Sequence, residues 1–267
     1  MPSPPPLPSI AIVGPGRLGR SLEALLAERS FHVPLIGRGG VVPQVEVVVL
    51  AVPDRALAAA AAALPLGPIV LHCSGAATVD VLAPHRPRGS WHPLMTFPGP
   101  EVALPDLEGV PAAVAGDPEA IGVATALTHC LGMAPLHVTG DRRLYHAAAV
   151  LAGNLATVLL AEAARALEAA GVEATEARQA LYPLANQSLR NAIADPARAL
   201  TGPVARGDLS TLDGHRDALR SAGLVDLVEL VDLLQTRGSR LIAPRPEADR
   251  TPRPTAPQSG LGHAEEA

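Results

Sequence analysis

The sequence predicts an α/β protein, with an N-terminal doubly wound sheet of the Rossmann type followed by an all-helical domain. Three observations support this prediction. Short apolar runs alternate with segments of helical periodicity in the first half of the chain, which is typical of a parallel sheet covered by helices. A glycine-rich turn follows the first apolar run. After residue 140 only helical patterns remain, and 267 residues suffice for nearly two domains of about 150 residues each.

The first domain is predicted over residues 9–140. Strands are expected at 9–14, 31–36, 45–52, 69–73, 89–91, 110–115 and 133–138. Helices are expected at 17–29, from a cap at Asp54 to residue 64, and at 118–131. The run at 45–52 is almost wholly apolar, which indicates a strand that is buried on both faces.

The second domain is predicted over residues 141–243, with helices at 144–170, 173–194, 211–221 and 224–241. Gly171 is expected to end the first of them, and Pro183 to disturb the second. A loop is predicted at 201–208, followed by a capping box formed by Ser210 and Asp213. Five of residues 1–8 are proline and residues 244–267 have almost no large apolar side chain, so they are predicted to be a disordered arm and tail.

Composition excludes several classes of function. All 21 basic residues are arginine, so a Schiff-base, phosphate-loop or acid–base lysine is excluded. A net charge of −5 and only 2% aromatic residues argue against a nucleic-acid partner. The two cysteines are spaced for neither a metal site nor a redox motif, and no metal is expected. The N-terminus does not resemble a signal peptide, and the longest apolar stretch, 147–161, is too short for a bilayer, so a cytoplasmic protein without a membrane partner is expected.

The segment GPGRLG matches the dinucleotide-binding pattern G-x-G-x-x-G in its required context, between a buried strand and a helix. Gly14 allows the tight turn, Gly16 lets the backbone approach a pyrophosphate, and Gly19 lets the helix pack on the strand. Arg17 and Leu18 complete the loop, whose helix N-terminus supplies amide donors to the phosphates. A tight turn without a ligand is the alternative.

The cofactor is predicted to be NADP(H), with NAD(H) as the less favoured choice. An NAD site usually has a carboxylate at the end of the second strand, but that position holds Arg38 between glycines, and a guanidinium suits a 2′-phosphate. Ligands bind beyond the carboxyl ends of strands, where the sequence places Val52, Pro53, Ser74 and Gly75. Ser74 and Gly75 are equally well explained as a simple turn.

The chain resembles a family of Rossmann-like proteins that carry domain of unknown function 2520. The matching segments run in order from about residue 9 to 240: GPGRLG, AVPD, HCSG, WHPLMTF, LYHAAAVLAGN, YPLANQSLRN and ALTGPVARGD. The family is similar to pyrroline-5-carboxylate reductase, ketopantoate reductase and the 6-phosphogluconate dehydrogenase group. The resemblance implies an NADP-dependent oxidoreductase with a helical dimerisation domain, so a homodimer is expected, but it implies no substrate.

Candidate catalytic residues lie within these segments. Proton transfer near neutral pH favours histidine. His92 follows a predicted strand, and His146 opens the long helix at 144–170. Asn154 is polar within an apolar run and needs a partner, either a substrate or another helix. Arg206 is a candidate clamp for an anionic group, although it could simply brace its loop with Asp208.

In the related enzymes a lysine lies four residues before a helical asparagine, and that position holds Val150 here. Either His146 has taken over the proton, or the reaction differs, or catalysis has been lost. Two functions are therefore carried forward. The first is an NADP(H)-dependent oxidoreductase that moves a hydride to or from a small carbonyl, imine or hydroxy acid in the cleft between the domains. The second is a redox sensor or scaffold that binds NADP(H) without turnover.

Overall fold

The computed structural model describes residues 7–243. The predicted arm and tail therefore lie almost wholly outside the described residues. Leu7, which was assigned to the arm, is half-buried and packs on the core next to Ile10. By packing, the chain divides into two units, the first ending at Thr157 and the second beginning at Val158. Helix α4, described below, thus packs with the first unit, and the predicted domain boundary at residue 140 remains a prediction.

The first unit contains one seven-stranded sheet with the strand order β2-β1-β3-β4-β5-β6-β7. Its strands are β1 (Ile10–Val13), β2 (Leu35–Ile36), β3 (Val47–Leu50), β4 (Ile69–His72), β5 (Arg88–Pro93), β6 (Pro111–Gly116) and β7 (Ala134–His137). The first five strands are mutually parallel, as predicted. Strand β6 runs antiparallel to β5, with Trp91 opposite Val114, so the prediction of a fully parallel sheet was wrong at this edge.

Three helices cover this sheet: α1 (Arg17–Ala27), α2 (Leu57–Ala62) and α3 (Pro118–Cys130). Leu22, Leu25 and Leu26 of α1 are buried on one face of the helix, which follows from their spacing. Two local predictions were wrong. Strand β2 has only two residues, Leu35 and Ile36, and before them only the carbonyl oxygen of Pro34, which accepts from the Ile12 amide at 2.9 Å, still contacts β1 within the described residues. Asp54 does not cap α2 but begins a 3-10 turn, Asp54–Ala56, and makes no capping bond.

The core lies on both faces of the sheet. Strand β3 is completely buried, as its apolar run predicted. One cluster joins it to α1 and α3, and a second joins it to α2. Trp91 is buried, and its indole N–H donates to the Thr128 hydroxyl at 3.0 Å. Cys73 is buried and Cys130 half-buried, and neither forms a disulfide.

The remaining helices are α4 (Arg142–Ala152), α5 (Asn154–Ala169), α6 (Ala174–Ala192), α7 (Pro196–Ala199), α8 (Gly202–Arg206), α9 (Leu209–Ser221) and α10 (Val225–Ile242). The single helix predicted at 144–170 is two helices separated at Gly153. Gly171 has a φ of +95°, as expected after a helix end. Pro183 lies inside α6, which continues through it.

Two predictions between α6 and α9 were wrong. The segment at 201–208 contains the short helix α8 rather than only a loop. The cap of α9 is Asp208, whose carboxylate accepts from the Thr211 amide at 3.1 Å, so Ser210 and Asp213 form no capping box. Asp213 pairs instead with Arg216, one turn along α9.

The helical stretch Arg142–Ala169 has 28 residues and a mean hydropathy of 1.7 in its most apolar window, so it is longer than the apolar stretch recognised in the sequence. By length and composition alone it could cross a bilayer. A helix that packs against another protein chain has the same composition. The stretch also begins with Arg142 and Arg143, and it carries Glu162 and Arg165 as an ion pair on its surface.

Candidate active site

The carboxyl ends of the parallel strands bring the predicted site residues of the first unit to one edge of the sheet. Gly14 follows β1, Val52 follows β3, and Ser74 follows β4. His92 lies at the end of β5. Ligands of open α/β sheets bind at this edge, so the topology alone makes it the candidate site.

The glycine turn between β1 and α1 has the geometry that its sequence predicted. Gly14 has a φ of +114°, and a Cβ there would lie 2.5 Å from the carbonyl oxygen of Ala51. A Cβ on Gly19 would collide with the carbonyl oxygen of Gly14. A Cβ on Gly16 would meet nothing within 4 Å, so its backbone faces open space. Helix α1 begins immediately after Gly16, without a side-chain cap and without an acidic residue in its first turn.

The glycine-loop cavity, about 890 Å³, opens over this turn. Gly14 and Gly16 line it, together with Val52 and Pro53 after β3 and Arg38 after β2. The Arg38 side chain is exposed, and it forms no ion pair within residues 7–243. A cavity of this volume, lined by the glycine turn at the start of α1 and by the Arg38 guanidinium, fits a dinucleotide that carries an extra phosphate.

The histidine cavity, about 580 Å³, lies where β5 faces helix α4. His92, Tyr145, His146, Val150 and Asn154 line it. Both His146 and Asn154, which the sequence analysis singled out, line this cavity. Asn154 is exposed, however, so its amide does not need the partner that its place in an apolar run predicted.

Ser74 and Gly75 make a tight turn after β4, next to His92 and His146, and neither residue lines the glycine-loop cavity or the histidine cavity. The Ser74 hydroxyl accepts from the amides of Ala76 and Ala77, at 3.2 and 2.9 Å. A Cβ on Gly75 would lie 2.6 Å from Cδ2 of His146 and 3.0 Å from Nε2 of His92. Gly75 therefore keeps the two histidines close to the backbone, which the sequence did not indicate.

A chain of polar contacts runs from this turn to His92. The Arg142 guanidinium donates to the carbonyl oxygen of Ser74 at 3.0 Å and lies 5.7 Å from the ring centre of Tyr145. The Tyr145 hydroxyl lies 2.7 Å from Nδ1 of His92. The rings of His92 and His146 meet edge to face, with centroids 6.1 Å apart.

The surroundings keep two histidines neutral, the buried His72 and the half-buried His92. Burial lowers the pKa of His92 to about 4, the charge of Arg142 and the neighbouring His146 lower it further, and Asp54 opposes them in part. Burial likewise lowers the pKa of His72 to about 4, with Arg142 again contributing. His72 accepts from the Ser74 amide through Nδ1 at 3.2 Å. Both rings are therefore uncharged at neutral pH.

Other candidates lie in the second unit, which is described by itself. Arg206 ends α8, and Gly207 follows it in the left-handed conformation. Arg206 forms no ion pair with Asp208 within the described part of the chain. Gln187 donates to Asn191 at 2.7 Å within α6, so these two amides satisfy each other.

Two residues of the candidate site were missed. Arg142 looks no different from its neighbour Arg143 in the sequence, yet Arg142 is buried and Arg143 is exposed. Tyr145 was noticed only as part of a matching segment. The one available signal was helical spacing, because Arg142 and Tyr145 are three residues apart and must share a face of α4.

Comparison with known proteins agrees with this fold. The model of a family described as a domain of unknown function (DUF2520) matches residues 110–233, which confirms the resemblance recognised in the sequence. No curated protein matches the chain.

Three solved structures illustrate the likeness. A Bacteroides fragilis protein provisionally assigned as an NADP oxidoreductase is 19% identical, with a TM-score of 0.74 over 88% of this chain and 98% of that one. A reductive aminase from Aspergillus terreus, in complex with NADPH and ethyl-5-oxohexanoate, is 16% identical, with a TM-score of 0.62 over 89% and 99%. A 1-pyrroline-5-carboxylate reductase from Streptococcus pyogenes is 14% identical, with a TM-score of 0.59 over 88% and 99%. At these identities the likeness establishes the fold, a Rossmann domain followed by a helical domain.

Proposed function

We propose that the protein is an NADP(H)-dependent oxidoreductase that transfers a hydride to or from a small carbonyl, imine or hydroxy acid. The observation that carries the proposal is the placement of two cavities at one edge of the sheet. The glycine-loop cavity fits a phosphorylated dinucleotide, and the histidine cavity offers proton-handling side chains. The NADPH complex of the structurally similar reductive aminase supports this interpretation.

In this proposal the cofactor pyrophosphate is held by the turn at Gly14, Gly16 and Gly19 and by the first amides of α1, which include those of Arg17 and Leu18. Arg38 binds the 2′-phosphate. When bound, the nicotinamide supplies or accepts the hydride. Strand β3 is followed by Val52 and Pro53, and strand β4 by Ser74 and Gly75. These four residues contact the part of the cofactor that extends toward the histidine cavity.

The histidine cavity binds the substrate. His92 and His146 are the candidates for moving the proton that accompanies the hydride. Asn154 orients the substrate from the start of α5, and Arg206 is retained as a candidate clamp for an anionic group. Among these candidates, His92 and His146 are the two whose rings contact each other edge to face, so they are the first residues to test.

A second function, binding of NADP(H) without turnover as a redox sensor or scaffold, is favoured by Val150. This residue lines the histidine cavity at the position where the related enzymes have a lysine. A valine cannot donate a proton or a hydrogen bond. The two proposals share the cofactor and differ only in whether the histidine cavity performs chemistry.

Calorimetric titration of the purified protein with NADPH and, separately, with NADH tests the shared part. We expect NADPH to bind at least tenfold more tightly, because Arg38 is free to pair with the 2′-phosphate. Arg38→Ala should remove most of this preference and leave NADH binding unchanged. Arg220→Ala, an exposed arginine in the second unit, is the matched control.

The outcomes separate the hypotheses. A preference for NADH would contradict the role of Arg38, and binding of neither cofactor would contradict the oxidoreductase and the sensor together. If NADPH binds, a screen of carbonyl and imine compounds by loss of NADPH absorbance distinguishes enzyme from sensor. In the enzyme, His146→Ala and His92→Ala should lower turnover by orders of magnitude without changing cofactor affinity.

We further propose that the protein forms a homodimer in the cytoplasm through its helical second unit. Helix α6 exposes Tyr182 and Leu189, each by 62%, and Ile193, which directly follows the helix as its C-cap, is 84% exposed. Their spacing of seven and four residues places them on one face of the helix. The sheet of the first unit is covered by its own helices, so the exposed apolar face is confined to the helical unit. Such a face is typical of a surface that a second copy buries.

A further inference from the structure

Arg142 presents an unusual arrangement, because it is a charged residue that is more than nine-tenths buried and pairs with no acidic residue in the described part of the chain. There its guanidinium makes one hydrogen bond, to the carbonyl oxygen of Ser74. Within residues 7–243, its Nε and Nη1 have no partner. An unpaired buried charge costs several kcal/mol, so a fold that keeps one has a use for it.

The groups around Arg142 suggest that use. The guanidinium lies 5.7 Å from the ring centre of Tyr145, and the Tyr145 hydroxyl touches Nδ1 of His92. On the other side of the imidazole, Nε2 lies beside Gly75. The His92 ring thus separates the Tyr145 hydroxyl from the turn where Gly75 and His146 meet.

We propose that Tyr145 and His92 form a proton relay in which His92 passes a proton without ever becoming charged, and that Arg142 is the positioning residue that makes this possible. The proposal deepens the reductase function above and depends on it. In the resting protein Tyr145 donates to Nδ1, so the proton of His92 is on Nε2 and points away from Tyr145. A neutral imidazole with a fixed tautomer is then the group that meets the substrate.

The step balances as follows for a carbonyl substrate. The substrate carbon receives a hydride from the reduced nicotinamide, and the π electrons of the C=O bond move to oxygen. The Nε2–H bond of His92 breaks as the new O–H bond forms. At the same time Nδ1 takes the proton of Tyr145, whose O–H electrons remain on the phenolate. The cycle closes when Nε2 takes a proton from a solvent hydronium ion while Nδ1 returns its own proton to the phenolate, so the ring stays neutral and one solvent proton is consumed per turnover.

The role of Arg142 is electrostatic in both halves of the cycle. Burial raises the pKa of the Tyr145 hydroxyl, and the charge of Arg142 offsets part of that effect while it opposes an imidazolium at His92, so of the two groups the tyrosine is the one that Arg142 helps to carry charge. The imidazoles of His72 and His146 also act on or lie near His92, and Asp54 is the acidic group, among residues 7–243, that opposes Arg142 there. Arg142 therefore has its charge partner only while Tyr145 is ionised.

The relay can be tested without a substrate. The full-length protein, labelled with ¹⁵N in histidine, is titrated from pH 3.5 to pH 9 while long-range proton–nitrogen spectra report the charge and tautomer of each ring. His92, assigned through His92→Gln, should be neutral at every pH above 5, with its proton on Nε2. Arg142→Met should raise the midpoint of its titration by about one pH unit or more, since the nearby positive charge that lowers the pKa of His92 is removed.

Matched controls exist for both partners. Arg143→Met removes the exposed neighbouring arginine and should leave the His92 spectrum unchanged, and Arg142→Lys should restore the neutral ring. Tyr145→Phe should release the tautomer, giving a mixture of Nδ1-H and Nε2-H forms. Tyr182→Phe, which changes the other tyrosine of the chain, should have no effect. Fluorescence of Trp91 confirms that each variant is folded.

Three results would overturn the relay: a charged His92 at neutral pH, a proton on Nδ1 in the unaltered protein, or an identical titration in Arg142→Met and Arg143→Met. If Arg142→Met does not fold, the His92 tautomers of the unaltered protein and of Tyr145→Phe still decide whether the relay exists. Cofactor binding is measured separately, so a protein that binds NADPH but has a charged His92 disproves the relay alone. A protein that binds no NADPH disproves the proposed function.

Discussion

The two units of the molecule bury their apolar residues very differently. The first unit has a continuous core on both faces of its sheet, including a completely buried strand β3. In the described part of the second unit, buried hydrophobic residues are limited to Ala164, Ala177, Leu212, Leu227 and Val228. The second unit exposes large apolar side chains on α5, α6 and α10 instead. The first unit has a core of its own, whereas the second leaves most of its large apolar side chains exposed, which is the arrangement that the proposed homodimer would cover.

The largest expected effect comes from placing charge on the exposed face of α6. Leu189→Glu combined with Ile193→Glu should weaken the proposed homodimer at least a hundredfold, because two apolar side chains become charges within a buried contact. Sedimentation equilibrium at micromolar concentration measures the change. Leu66→Glu, at a side chain that is 71% exposed in the first unit, is the matched control and should leave the dimer intact.

The same measurement can contradict the comparison. If the unaltered protein is a monomer at micromolar concentration without detergent, the apolar face of the second unit does not serve dimerisation. If the protein is soluble only with detergent, the helical stretch Arg142–Ala169 would be better explained by a membrane. A dimer that survives both charges would place the interface on another surface.

A smaller effect is expected from acid, and it should act on the first unit. The pKa values of His72 and His92 are about 4 in the folded protein, against an ordinary value of 6.5. Between these values the unfolded chain binds more protons than the folded one. Stability is therefore fully present above pH 6.5 and is lost as the pH falls toward 4, by about 2 kcal/mol per ring at pH 5.

Urea denaturation followed by Trp91 fluorescence measures this loss, because the single tryptophan lies in the first unit. His72→Asn and His92→Gln should each reduce the slope of stability against pH, even if they lower stability at pH 7. His215→Gln, at an exposed position in the second unit, should leave the slope unchanged. An unchanged slope in both His72→Asn and His92→Gln would show that the two rings are not held neutral.

The two units also differ in how much the sequence predicted. The glycine turn was predictable residue by residue, because backbone sterics at Gly14 and Gly19 leave few alternatives. Strand β3 was predictable from its apolar run. The surroundings of His92 were not, because they depend on which of two adjacent arginines faces inward and on where β5 meets α4. The start of α9 was missed because Ser210 and Asp208 are equally good caps in sequence.

The smallest expected effect uses a matched pair of helical glycines. Gly122 in α3 and Gly214 in α9 are both exposed, and a Cβ at either position would meet nothing within 4 Å. Alanine should therefore stabilise each helix by about 0.5–1 kcal/mol, through helix propensity alone. Helix α3 packs on the core that surrounds the sheet and contains Trp91, whereas α9 belongs to the second unit. We therefore expect Gly122→Ala to raise the urea midpoint reported by Trp91 and Gly214→Ala to leave it unchanged. Far-ultraviolet circular dichroism, which follows the helices of both units, should register the gain in Gly214→Ala. An equal shift of the Trp91 midpoint by both substitutions would show that the units unfold together, and the second unit would then draw stability from the core of the first as well as from a partner.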